Sequence, residues 1–191
     1  MRVSTQVRLV HWSVTAAAAL LAADAALSAA ALTHLGRRQF RLISVAQLDR
    51  VHTDLVNNLT VAAVSVLVLA TIAVFMRRPS NKVRVAVWVA APLIALTTLC
   101  FLVGGPEWAV APTGEEPAAL RAEYAQAVPS WYTGPHGVAG LISVALLIFV
   151  AVFLLRADLR EYYMDGGYDA SRPYKSWVER AGARDAGHDA T

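Results

Sequence analysis

The sequence predicts an all-α integral membrane protein: a four-helix bundle with a long outer loop between spans three and four and a cytoplasmic C-terminal tail. Of its 191 residues, 57% are hydrophobic and 16% are charged, whereas roughly 25% are charged in a typical soluble domain. Four apolar runs, at about 11–32, 54–76, 85–103 and 137–155, each approach the roughly 20 residues that a helix needs to cross a bilayer. Because lipid offers the backbone no hydrogen-bond partners, such runs form helices.

The chain divides into a four-span bundle over residues 1–160 and a polar tail over residues 161–191. The first span follows a basic start and is rich in Ala and Leu, which is also typical of a secretory signal peptide. Its length and the carboxylate Asp24 favour a membrane span instead. Pro92 predicts a kink in the third span. The mixture of polar and apolar residues in segment 40–48 predicts a short surface helix. Within the long loop, segment 117–127 is expected to form a helical turn or two.

The distribution of Lys and Arg predicts that both termini are cytoplasmic. With four spans, the N-terminus, the second connection and the tail share one side of the membrane and carry twelve of the 17 basic residues. The other side carries five, and basic residues are enriched in cytoplasmic segments. The flanking Lys and Arg residues account for the net charge of +3, so no nucleic-acid partner is needed to explain it.

Cys100 is the only cysteine, which excludes an intramolecular disulfide and a cysteine-rich metal site within the chain.

Three histidines stand where apolar runs begin, and they are the main candidates for a functional site. His11 begins the first run, His52 the second and His136 the last. Ionisable side chains at such positions are rare and costly, and histidine on bundle helices is the usual axial ligand of haem iron. Because successive spans alternate in direction, His52 and His136 fall at the outer face and His11 at the inner face. Two imidazoles level with each other on facing helices are what a bis-histidine haem b requires.

Other readings of these histidines stay open. His34, just past the first span, could replace His52 as a ligand. Interfacial histidines can also simply reach the headgroups, as other amphipathic side chains do. A third class of protein is a small transporter that uses Asp24 and His11. The lack of polar residues in spans three and four disfavours it.

Polar residues inside the spans are candidates for supporting roles. Two interpretations of Asp24 are open. In the functional one, it transfers protons or contacts a haem propionate. In the other, it is a carboxylate that desolvation keeps protonated. Asp54 or Asn57 could hydrogen-bond the free nitrogen of a ligand imidazole, as partners of metal-bound histidines commonly do. The small residues Gly137 and Gly140 after His136 would let a porphyrin approach the helix backbone.

The chain resembles the bacterial four-helix b-type cytochromes over about residues 5–160. The matching residues are Arg8-Leu9-Val10-His11-Trp12 at the first span, His52 at the second and His136 with its glycines at the fourth. This family includes the membrane subunits of respiratory formate dehydrogenases and nickel–iron hydrogenases, and small quinol-oxidising cytochromes b.

The resemblance implies an electron-transfer subunit of an oxidoreductase complex, not a catalyst on its own. Electrons would pass between an extracytoplasmic redox subunit and the quinone pool of the bacterial cytoplasmic membrane. The resemblance assigns an outer haem b to His52 and His136. It assigns an inner haem to His11 and a second histidine of span four, about 14 residues after the first, but that position is Val150. One haem is therefore expected and the second is left open, as is a bound quinone. The alternative is a haem-free membrane anchor or assembly subunit of a larger complex.

Overall fold

The computed structural model describes residues 3–76, 80–110 and 116–164, and these residues form helices joined by short connections. The helices are α1 (Val3–Gly36), α2 (Val45–Phe75), α3 (Asn81–Val103), α4 (Pro106–Ala109), α5 (Ala118–Ala127), α6 (Ser130–Phe153) and α7 (Ala157–Met164). No strand occurs among the described residues. The all-α prediction is therefore confirmed over this part of the chain.

Four segments are long and apolar enough to cross a membrane. They are Thr5–Gly36, Val45–Phe75, Asn81–Ala109 and Ser130–Phe153, with mean hydropathy between 1.7 and 2.4. Large apolar side chains also cover much of the outer surface of α2, α3 and α6, including Leu67, Leu93 and Leu141, each at least 58% exposed. Apolar surface of this extent on three of the long helices is what a lipid environment requires. The chain therefore has the character of a multi-pass membrane protein.

The four long helices form a bundle in which α1 is the best-packed member. Helix α1 lies against both α2 and α6, and α3 lies against α6 and more loosely against α2. Helices α2 and α6 are thus diagonal partners, and α1 lies beside both. We call one end of the bundle the capped end: α1 ends there, α2 begins there, and α5 and the connection 37–44 pack over it. The opposite end is called the α7 end.

Helix α2 begins at Val45, earlier than the apolar run at 54 predicts. Ser44 and Gln47 form a capping box, in which the Ser44 hydroxyl accepts a hydrogen bond from the Gln47 backbone N–H and the Gln47 side chain accepts one from the Ser44 backbone N–H. The first turns of α2 are polar, so hydropathy alone does not reveal them. The separate surface helix predicted for 40–48 is not seen: residues 37–44 are an irregular connection and 45–48 belong to α2.

The described residues between α3 and α6 include the short helices α4, at the end of the third apolar segment, and α5. Helix α5 covers nearly all of the predicted helical segment 117–127, and α6 begins at Ser130, before Pro135 and His136. At the α7 end, α7 packs Leu159 and Tyr163 into the core. The predicted boundary at 160/161 falls inside this helix. The remainder of the predicted tail, residues 165–191, lies outside the described residues.

A polar layer divides the interior of the bundle into two apolar clusters. The cluster toward the α7 end contains Leu21, Leu69 and Val144, and the cluster at the capped end contains Ala31, Leu55 and Tyr132. Between these positions the long helices α1, α2 and α6 bury polar side chains: Asp24, Ser28, Asn58, Ser65, His136 and Ser143. Buried polar groups in a membrane bundle are costly unless they are paired. This layer is therefore where the fold has placed its candidate site.

Candidate functional site

The site is centred on a buried contact between a histidine and a carboxylate on neighbouring helices. His136 Nδ1 lies 2.6 Å from Asp24 Oδ1, and both side chains are at most 3% exposed. Asp24 comes from the interior of α1, and His136 from the second turn of α6. The two residues are 112 positions apart in the chain, so only the packing of α1 against α6 brings them together.

Helix α2 completes the network through Asn58. The Asn58 side-chain amide donates to Asp24 Oδ2 at 3.2 Å and to Ser28 Oγ at 2.8 Å. Asp24 and Ser28 are one turn apart on α1 and face the same side, as residues four apart on a helix do. Because Asn58 Nδ2 is only a donor, Asp24 Oδ2 is an acceptor in this contact. Each carboxylate oxygen therefore has a defined partner, one from α6 and one from α2.

Tyr132 covers one face of the imidazole. Its ring is stacked on that of His136, with the centroids 5.1 Å apart and the planes 8° apart. The Tyr132 hydroxyl is buried beside Ser28 and Asn58 and makes no well-aligned hydrogen bond to any described residue. The sequence suggests the bilayer interface for Tyr132 as well as for Trp131. Instead Tyr132 is fully buried, whereas Trp131 is 43% exposed.

The second imidazole nitrogen of His136 stands without a partner in the part of the chain that the structure describes. His136 Nε2 is buried and forms no hydrogen bond among the described residues. In the tautomer whose Nδ1 donates to Asp24, Nε2 is the nitrogen with a free lone pair. This is the arrangement of a metal-ligating histidine, whose other ring nitrogen donates to a carboxylate. The arrangement can therefore offer one nitrogen ligand inside the bundle.

The other predicted ligands lie apart from this network. His52 is exposed on α2, next to the inward-facing Val51. His11 is half-buried near the α7 end and contacts the ring of Trp12 edge-on. His34 is half-buried at the capped end, where it meets Trp131 edge-on. The structure thus brings only His136, among the predicted ligands, into the polar layer.

The glycines and Val150 have contrasting surroundings on α6. A Cβ atom added at Gly140 would lie 2.8 Å from Leu102 Cδ2 of α3, so that face is already filled. A Cβ atom added at Gly137 would meet nothing within 4 Å. Val150 is fully buried in the apolar cluster toward the α7 end. Space next to the helix backbone is therefore found at Gly137 and not at Gly140.

A carboxylate in α5 ties together the two connections that cover the capped end. Glu123 accepts hydrogen bonds from the backbone N–H groups of Leu42 (2.9 Å), Arg41 (3.1 Å) and Ile43 (3.2 Å). These donors, Leu42 first, hold the pKa of Glu123 below its ordinary value, because they stabilise the ionised carboxylate. Glu123 thereby anchors residues 41–43 to α5, above the end of the bundle that contains His136.

Sequence reasoning identified His136 and Asp24 separately but did not pair them. It proposed Asp54 or Asn57 as the partner of a ligand imidazole, whereas the observed partner is Asp24 and the supporting amide is that of Asn58. One signal was available: a carboxylate inside a membrane span almost always faces the bundle interior and has a partner there. No group of three or more His, Cys, Asp or Glu side chains that could hold a metal ion occurs in the described part of the chain.

Comparisons of the chain with protein-family models, with curated proteins and with solved structures found no match. The resemblance to four-helix b-type cytochromes thus depends on the sequence motifs alone, and it stays a prediction.

Proposed function

We propose that the chain is a membrane cytochrome b subunit that transfers electrons between an extracytoplasmic redox partner and the membrane quinone pool. The observation that carries this proposal is the buried imidazole of His136. Its Nδ1 is paired with a carboxylate, and its Nε2 is buried without a hydrogen-bond partner among the described residues. An unpaired polar atom in a bundle interior is costly, and a bond from Nε2 to a haem iron would remove that cost.

Among the described residues of the polar layer, His136 is the one that could hold a haem iron. His136 would hold the iron through Nε2, and the open surroundings of Gly137 lie one residue further along α6. When bound, the haem supplies one-electron chemistry, while the protein supplies ligands, burial and position. His52 would be the second ligand, with His34 as the alternative residue at the same end of the bundle. His11 is the candidate for a second haem near the α7 end, where Val150 offers no ligand.

The proposal includes a location and partners. We infer that the chain spans the bacterial cytoplasmic membrane with both termini cytoplasmic, because twelve of 17 basic residues then lie on the cytoplasmic side. The capped end would then face outward, where α5 and the connection 37–44 form the surface offered to a redox subunit. Quinone and membrane lipid are the remaining partners of this hetero-oligomeric complex.

A second candidate is a haem-free anchor or assembly subunit, and two observations favour it. Leu102 fills the face of α6 at Gly140, and the His52 side chain lies on the exposed surface of α2. In this case the Asp24–His136 pair would serve to fix α1 against α6.

The experiment that tests the proposal is a reduced-minus-oxidised visible spectrum of the detergent-purified chain, with haem quantified per protein. We expect a b-type band at about one haem per chain. The band should be lost in His136→Ala and in His52→Ala. It should be retained in the control His188→Ala, which removes the histidine of the predicted polar tail. A full bis-histidine spectrum in both ligand variants would contradict the assignment. A well-folded preparation made with adequate haem and still colourless would favour the anchor.

A further inference from the structure

We propose that the α7 end of the bundle binds an anionic phospholipid, whose headgroup phosphate is held by Arg84 and Arg156 where the start of α3 meets the end of α6. This site lies outside the polar layer. It needs no haem, so it goes beyond the proposed function and holds equally for a haem-free anchor.

Both arginines stand at the boundary of the hydrocarbon layer. Arg84 immediately precedes the apolar run 85–103, and Arg156 immediately follows the run 137–155. The structure brings these two boundaries to the same level, because Arg84 Nε donates a hydrogen bond to the Leu154 backbone carbonyl at 3.4 Å. Lipid headgroups lie just outside the hydrocarbon core. Both guanidinium groups are therefore at the depth of lipid phosphates, which long basic side chains reach readily.

Contacts with α6 hold both guanidinium groups in place. Arg84 is half-buried and bound through Nε, so its two terminal nitrogens stay donors for a ligand. Arg156 Cζ lies 5.2 Å from the centre of the Phe153 ring, and that ring is stacked on Phe149 with the centroids 5.1 Å apart. Guanidinium groups bind phosphate through paired N–H donors. Because these groups are already ordered, binding costs less conformational entropy.

The charge around the two arginines is positive. Neither arginine forms a salt bridge with another residue of the described chain. Positions 82–84 and 156–161 together hold four basic residues against two acidic ones, namely Lys82, Arg84, Arg156 and Arg160 against Asp158 and Glu161. Basic residues at a membrane surface attract anionic lipids. An anionic headgroup is therefore preferred over a zwitterionic one.

The outer surface beside the arginines is apolar and suits the acyl chains of a lipid. Trp88 lies one turn after Arg84 on α3 and is 50% exposed, and Val152 and Leu155 of α6 are 61% and 57% exposed. Tryptophan is enriched where a bilayer meets water. A ligand with an anionic head and apolar chains matches both parts of this surface, whereas a free phosphate would match the arginines alone.

The test is native mass spectrometry of the detergent-purified full chain, titrated separately with phosphatidylglycerol, phosphatidylcholine and inorganic phosphate. We expect the chain to retain phosphatidylglycerol at a lower concentration than phosphatidylcholine. Arg84→Gln and Arg156→Gln should each weaken phosphatidylglycerol binding about five-fold, which corresponds to about 1 kcal/mol per basic residue near a membrane surface. The matched control is Arg8→Gln, which removes an exposed arginine at the same end of the bundle and should leave binding unchanged.

Four results would overturn the proposal. Equal binding of the two lipids is the first, and retention of inorganic phosphate without lipid is the second. The third is an equal loss in Arg8→Gln, which would mean a general attraction by positive charge.

The fourth result concerns the structural role of Arg84, whose charge at the end of α6 also favours that helix. A purely structural role would lower the thermal stability of Arg84→Gln in both lipids alike and leave the preference for phosphatidylglycerol intact. Should Arg84→Gln fail to fold, Arg156→Gln decides, because the Arg156 side chain is exposed. None of these outcomes depends on whether the chain binds haem.

Discussion

The buried polar layer makes a sharp prediction about stability, which compares two adjacent asparagines on α2. Asn58 is 4% exposed and donates to Asp24 and Ser28, whereas Asn57 is exposed. Replacing either by leucine changes the chemistry in the same way and keeps the number and branching of the side-chain heavy atoms. Only Asn58→Leu removes buried hydrogen bonds, so the two variants should differ strongly.

The magnitude follows from the contacts that are lost. Hydrogen bonds between membrane helices contribute about 0.6 kcal/mol on average and at most about 1.7 kcal/mol. Two of them therefore account for about 1–3 kcal/mol. Ser28 Oγ and Asp24 Oδ2 are also left facing a leucine, and an unsatisfied buried group costs about 1–3 kcal/mol. The two estimates describe the same loss and do not add, so we expect Asn58→Leu to lower the free energy of unfolding by about 1–3 kcal/mol, and Asn57→Leu to change it by less than about 0.5 kcal/mol.

The assay is reversible unfolding in mixed micelles of a mild and a denaturing detergent, followed by tryptophan fluorescence and circular dichroism. Equal losses of stability in the two variants would refute the reasoning, because they would show that burial and pairing of Asn58 do not matter. A loss confined to Asn57→Leu would mean that α2 is rotated about its axis relative to the arrangement described above.

Two further predictions concern the capped end and the α3–α6 contact. Because the pKa of Glu123 is lowered in the folded state, its contribution to stability is present above the ordinary value of 4.5 and is lost as pH falls through the lower folded-state value. Hydrogen exchange at the Leu42 amide, relative to its intrinsic rate, should therefore accelerate on acidification of the original chain. In Glu123→Gln this acceleration should disappear, and an unchanged pH response would contradict the assignment. At Gly140, alanine should cost little because the tip of Leu102 can move, whereas Gly140→Leu should destabilise by about 1–3 kcal/mol through overpacking in the same unfolding assay. Equal stability of these two variants would show that α3 does not approach α6 closely at this point.

The sequence by itself determined the helical class and the number of spans. Long apolar runs without charges can only be helices in lipid, so the four spans follow from local composition. Helix α5 also followed from local pattern. The start of α2 did not, because it is set by the polar capping box of Ser44 and Gln47 and not by hydropathy.

Only the tertiary structure decided which polar residues meet. In a soluble bundle the apolar stripe of each helix shows which face points inward. In a membrane bundle the outward face is apolar as well, so this signal is weak and the rotation of each helix is hard to read. That rotation places Val51 inside and His52 on the surface. It also joins Asp24 to His136 across 112 residues, because a buried carboxyl group must find a polar partner and α6 offers one at the same depth.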